Sequence, residues 1–168
     1  PRPTSSNSAA MGLVQFIASR FDRSLSSPTL IGPRAEGERP ELGRAGIGAE
    51  GERLAALFLE RKEGCKVLSR NFRAPHGGEV DLICRDGDVL VFAEVKTRTS
   101  EAFGRPSAAV DEGKRRLIAK GALHWLRMLG NPEILFRFDI VEVILEEGEI
   151  PKLERIREAF NLPEPFLY

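Results

Sequence analysis

Asp81, Glu94 and Lys96 stand at a spacing that could do chemistry. Asp81 lies in an apolar-rich segment, Val80 to Arg85. Glu94 and Lys96 close another, Val89 to Lys96, and Asp86-Gly87-Asp88 lies between the two. A two-residue Gly87-Asp88 turn makes a β-hairpin of these segments and sets Asp81 directly opposite Glu94, with Glu79 facing Lys96. Opposed residues share one face of a sheet with Cβ atoms about 4.5–5.5 Å apart, so the two carboxylates point into one small volume. If the turn is Asp86-Gly87 instead, Asp81 becomes diagonal to Glu94 and stays on the same face. Like charges this close share a proton, are neutralised by a lysine, or bind a cation. Hard divalent cations fit best. Mg²⁺, or Mn²⁺ in its place, takes carboxylate oxygens plus waters and completes its shell on a phosphate. Lys96 projects from the same face and can orient a water or stabilise charge developing on a phosphate. Carboxylates and a lysine near strand ends also make plain surface ion-pair clusters, and taken alone that is the commoner arrangement.

The elements that must position these residues run from Gly43 onward, where the pattern becomes periodic. A helix is expected over Ile47 to Glu63, with Leu54, Ala55, Phe58 and Leu59 at helical spacing and Gly64 as its stop. Strands follow at Lys66 to Phe72, Val80 to Arg85 and Val89 to Lys96, the last apolar on both faces like a buried central strand. After a loop with Gly104 and Pro106, a second helix is expected from Ala108 to Leu129, its stripe formed by Val110, Leu117, Ile118, Gly121, Trp125 and Leu129. Leu135 to Leu145 reads as a strand. Strand, crossover helix and strand make a βαβ unit, so this strand should run parallel to an earlier one. The order is αβββαβ, an α/β domain with a mixed sheet. Glu52 projects from the edge of the first helix's buried stripe, where dipole stabilisation is the commoner role of an acid. Lys114 sits in the second helix's stripe, where it either meets an anionic partner or snorkels to water. Gly77-Gly78 either permits close backbone approach near the carboxylates or simply enters the strand.

Formal charge cancels, with 25 basic against 25 acidic residues, so no global field marks a polyanion binder and any such site is local. Residues 96–127 hold eight basic residues against three acidic. Within them Arg98, Lys114, Arg115, Arg116 and Lys120 are candidates for contact with nucleic-acid phosphates, although a solvated helix face looks similar. Two cysteines, Cys65 and Cys84, and two histidines argue against a thiolate or His-rich zinc site. No apolar run reaches the roughly 20 residues that span a bilayer, so a cytoplasmic protein is expected. Residues 1–42, rich in Ser, Pro, Gly and Arg, form a disordered or weakly structured extension whose Leu13 to Phe21 stretch could be a short, fraying amphipathic helix. An organellar transit peptide or a bacterial extension fits that composition equally. Residues 43–168 form the single domain.

GGEVDLI at 77–83 followed by VFAEVKTR at 91–98 resembles the D…ExK core of PD-(D/E)XK nucleases, whose restriction-endonuclease-like core is αβββαβ. More narrowly, Gly51-Glu52 with Ala55, the Asn71-Phe72-Arg73 strand end, Lys114-Arg115-Arg116, Arg137-Phe138-Asp139 and Ile156 to Phe160 look like the YraN family. By sequence that family is grouped with Holliday-junction-resolvase-like endonucleases. The resemblance implies metal binding by Asp81 and Glu94, service of the attacking water by Lys96, and a match of Glu52 to the first-helix acid of resolvase-like members. It implies phosphodiester hydrolysis in DNA, branched or structured DNA included, without a small-molecule cofactor. A two-fold dimer is the geometric expectation for a symmetric junction. The alternatives are a module of the same fold that binds nucleic acid without cutting, and a protein-interaction scaffold with an ion-pair cluster. Arg137 and Asp139 read as a structural ion pair.

Overall fold

The computed structural model describes residues 43–100 and 110–168. The helix expected over Leu13 to Phe21, the loop of Gly104 and Pro106, and Ala108 lie outside the described residues. The element order is α1 (Arg44–Arg61), β1 (Lys66–Arg73), β2 (Glu79–Asp86), β3 (Val89–Arg98), α2 (Glu112–Met128), β4 (Leu135–Ile144) and β5 (Lys152–Phe160). One sheet runs in the order β1-β2-β3-β4-β5. Its pairs are antiparallel except β3 with β4, which are parallel, as the βαβ reading requires. The αβββαβ core is therefore present, an α/β fold with a restriction-endonuclease-like mixed sheet.

Alternation along β3 splits the core into two layers. Val91, Ala93 and Val95 pack with Ala55, Ala56 and Leu59 of α1. Leu90 and Phe92 pack with Ile118, Ala122, Trp125 and Leu126 of α2. The two helices thus cover opposite faces, and Glu94 and Lys96, in step with Leu90 and Phe92, belong to the α2 face. No described helix is long and apolar enough to cross a membrane.

The structure differs from the expectation in four places. Helix α1 begins at Arg44, not Ile47, and stops at Arg61, where Gly64 takes φ 69° and Cys65 N–H returns to the Leu59 carbonyl at 2.8 Å. Helix α2 begins at Glu112 because Asp111 is its N-cap, accepting the Lys114 N–H at 2.8 Å. Val110 is buried but precedes the helix, and Leu117 is an exposed large hydrophobic residue rather than part of the buried stripe. Strand β5 was not expected. Lys152, Glu154, Arg155, Arg157 and Glu158 give its sequence the look of a polar tail, and it forms by pairing with the exposed edge of β4.

Glycines set how closely the helices lie on the sheet. A Cβ on Gly121 of α2 would meet the Glu79 backbone at 3.1 Å, and one on Gly78, at φ 114°, would meet the Gly121 nitrogen at 2.7 Å. The start of β2 passes directly beneath α2 through this pair. On the other face, a Cβ on Gly51 of α1 would stand 1.8 Å from Thr97 Oγ1. Gly51→Ala is expected to lower stability by about 1–3 kcal/mol through overpacking, read as a lower urea midpoint. A variant as stable as the wild type would mean that α1 can lift from β3 at no cost.

Candidate active site

The Gly87-Asp88 hairpin forms in the expected register, with Asp86 paired to Val89 and Leu82 to Ala93. The next step of that ladder carries Asp81 and Glu94. Here the strands stop exchanging backbone bonds, and the Asp81 carboxylate takes the Val95 N–H at 2.8 Å. That bond fixes Asp81 against the end of β3. Glu94 is 3% exposed. Its Oε1 accepts from Lys96 Nζ at 2.9 Å. Its Oε2 is buried without a hydrogen bond, and Lys114 Nζ stands 3.2 Å from it. The ion pair is present, but its angles fall short of a hydrogen bond.

Lys114 reaches the sheet rather than the solvent. Its ammonium donates to Glu79 Oε1 at 2.6 Å, and Glu79 Oε2 accepts from Arg73 at 2.8 Å. Glu79 therefore faces Lys114 and Arg73, not Lys96 as the hairpin register suggested, because the Gly78–Gly121 crossing brings α2 over it. Sequence reasoning missed Glu79 as a partner of Lys114. Its place two residues before Asp81 was the available signal.

Burial first, and then the Glu94 charge, push the Asp81 carboxyl up from 3.8 to about 7, against the Val95 N–H that favours the anion. The Lys114 hydrogen bond holds Glu79 below its ordinary value despite partial burial. Burial opposes the charge on Lys114, but Glu79, Glu94 and Asp81 together raise its pKa. Between about pH 4 and 7 the folded chain holds a proton that the unfolded chain has lost, so Asp81 makes stability fall as pH rises, with the full cost above 7. Asp81→Asn should make the metal-free protein more stable than wild type by about 1–3 kcal/mol at pH 8 and not at pH 4, measured by urea denaturation with chelator. A less stable variant at pH 8 would contradict the shift.

Whether these groups suit a cation can be judged from their chemistry. Hard carboxylate oxygens, one of them buried and lacking a hydrogen bond, and an Asp81 anion disfavoured by its neighbour all suit Mg²⁺ or Mn²⁺. Among the described residues no three His, Cys, Asp or Glu side chains are grouped to hold a metal. A cation here would draw on Asp81 and Glu94 and take its remaining oxygens from solvent or phosphate.

The other sequence candidates are scattered. Glu52 is half-buried on α1, beside the Gly51–Thr97 contact, and the structure does not bring it into an ion pair with the cluster. Arg98 pairs with buried Glu142 at 3.2 Å. Arg115 donates to the Val110 carbonyl at 2.9 Å and lies over the Phe160 ring. Arg116, paired with Glu112 at 2.6 Å, and Lys120 remain exposed on α2. Cys65 and Cys84 are free, buried thiols, and burial pushes Cys84 up to about 12.

The model of "Uncharacterised protein family UPF0102" matches residues 51–143. A UPF0102 protein of Geobacter metallireducens is 45% identical over 116 residues, covering 69% of this chain and 93% of that protein. The chain belongs to the UPF0102 family. This is the YraN family that its motifs resemble. A UPF0102 protein of Anaeromyxobacter dehalogenans is 45% identical over 119 residues, 71% of this chain and 87% of the other. One of Rhodococcus jostii is 44% identical over 114 residues, 68% and 95% of the two chains. The UPF0102 match takes in Glu79, Asp81, Glu94, Lys96 and Lys114 and stops before β5. The family's description assigns no activity.

Proposed function

We propose that this UPF0102 chain is a metal-dependent endonuclease that hydrolyses phosphodiester bonds of DNA, branched or structured DNA included. The observation that carries this is the convergence of Asp81 and Glu94 on one face, with a buried Glu94 oxygen lacking a hydrogen bond and Lys96 beside it. Mg²⁺ or Mn²⁺ held by the two carboxylates would polarise a phosphate oxygen and lower the pKa of the attacking water. Lys96, already oriented by Glu94 Oε1 and partly open to solvent, would donate to the water or to a phosphate oxygen. Asp81, anchored by the Val95 N–H, keeps its carboxylate at the strand end. Arg116 and Lys120 would meet the phosphate backbone, while Lys114, Arg98 and Arg115 are turned inward to Glu79, Glu142 and Val110. Glu52 would serve as the first-helix acid of resolvase-like members. On a symmetric four-way junction, a two-fold dimer would present one site to each of two strands. Free buried thiols at Cys65 and Cys84 fit a reducing, cytoplasmic setting.

A second role, nucleic-acid binding without cutting, is favoured by one observation: the described residues hold no group of three metal-ligating side chains. The deciding experiment is cleavage of labelled linear, flapped and four-way-junction DNA with Mg²⁺ or Mn²⁺. Metal-dependent products are expected. Salt-sensitive binding without products would favour the silent module, and neither binding nor cutting would leave the scaffold.

A further inference from the structure

We infer that Glu79 is a positioning residue: it draws Lys114 into a hydrogen bond of its own, so that the ammonium meets the buried Glu94 oxygen only as an ion pair at 3.2 Å and a divalent cation can displace it there. This rests on the metal-binding role proposed above for Glu94.

Lys114 stands between two carboxylates and favours the more exposed one. Its Nζ makes a 2.6 Å hydrogen bond to Glu79, whose side chain is 29% exposed, and a 3.2 Å contact without a hydrogen bond to Glu94, which is 3% exposed. Charge attraction alone would draw the ammonium the other way, because an interaction strengthens as water is removed from it. Something must hold it back. The Glu79 carboxylate is fixed from two sides, with Arg73 on Oε2 and Lys114 on Oε1, and the Glu79 backbone lies close beneath Gly121. Glu94 is meanwhile fixed by Lys96 on its other oxygen. The result is a chain of alternating charge, Arg73, Glu79, Lys114, Glu94, Lys96, in which Glu94 Oε2 lacks a hydrogen bond. An ammonium and a metal ion compete for that oxygen. Without Glu79, the acids left acting on Lys114 are Glu94 and Asp81, and the ammonium drawn to them becomes a resident cation that competes with the metal.

The test is a double-mutant cycle read by calorimetric titration with Mn²⁺, which does not depend on cleavage. Glu79→Gln keeps the shape of a half-exposed side chain and should weaken Mn²⁺ binding roughly ten-fold. Lys114→Met removes the competitor and should strengthen binding. In the Lys114→Met background, Glu79→Gln should change affinity by less than about two-fold, because its effect passes through the ammonium. An equal loss in both backgrounds would make Glu79 a ligand or a distant charge and overturn the assignment, as would no loss in either. Absence of Mn²⁺ binding by the wild type would remove the metal-binding role itself, and this inference with it.

Discussion

Replacing Glu94 by alanine should lower metal-dependent strand cleavage by about 10³-fold or more, roughly 4 kcal/mol of transition-state stabilisation, in a protein that still folds. Two effects combine. One of the two carboxylates able to hold the cation is lost, and Lys96 loses the acceptor that orients it at 2.9 Å. The fold should tolerate the change because Lys114 keeps its 2.6 Å bond to Glu79 and Lys96 can turn to solvent. Asp81→Ala should lose cleavage similarly, since Asp81 completes the pair. The measurement is initial rate on the best of the three DNA substrates at saturating Mn²⁺, with circular dichroism as the folding control. Equal cutting by wild type and both variants would trace the activity to a contaminant and remove the site from consideration.

The largest loss of stability should come from the opposite face of the sheet. Asp139 is fully buried, and it accepts from Arg137 at 3.0 Å, from the Glu158 N–H at 3.0 Å and from Arg155 Nε at 2.9 Å. Arg155 is itself 2% exposed and also reaches Asp86 at 3.0 Å and Glu63 at 3.1 Å. One carboxylate thus joins β4 and β5, and through Arg155 the hairpin turn and the end of α1. Asp139→Ala strands a buried guanidinium, which costs about 3–5 kcal/mol. The exposed Arg116–Glu112 pair, by contrast, should be worth under about 1 kcal/mol. Urea denaturation of Asp139→Ala and Glu112→Ala separates the cases, and a loss below about 1 kcal/mol for Asp139→Ala would mean that the network relaxes to water.

The Arg137–Asp139 pair was legible from spacing on one strand, but its third member was not. Arg155 lies on β5, whose charged sequence carries no apolar alternation, so its burial depends on pairing with β4 and on a ready-made carboxylate. The candidate site divides in the same way. That Asp81 and Glu94 share a face followed from Gly87-Asp88 turn geometry and the two-residue period of strands, which act between residues close in sequence. The parallel placement of β4 followed from the crossover through α2, which returns the chain to the same end of the sheet. Lys114 could equally have met an acid or reached water, because its partner depends on where α2 comes to rest on the sheet. The close fit of Gly78 and Gly121 decides that. The fate of Arg98 and Arg115 was likewise set by the long-range neighbours Glu142 and Phe160. The sequence by itself determined the αβββαβ elements, the hairpin register and the shared face, because local periodicity and turn stereochemistry specify them. Only the tertiary structure decided which charge meets which, because an ion pair is chosen by packing between segments far apart in the chain.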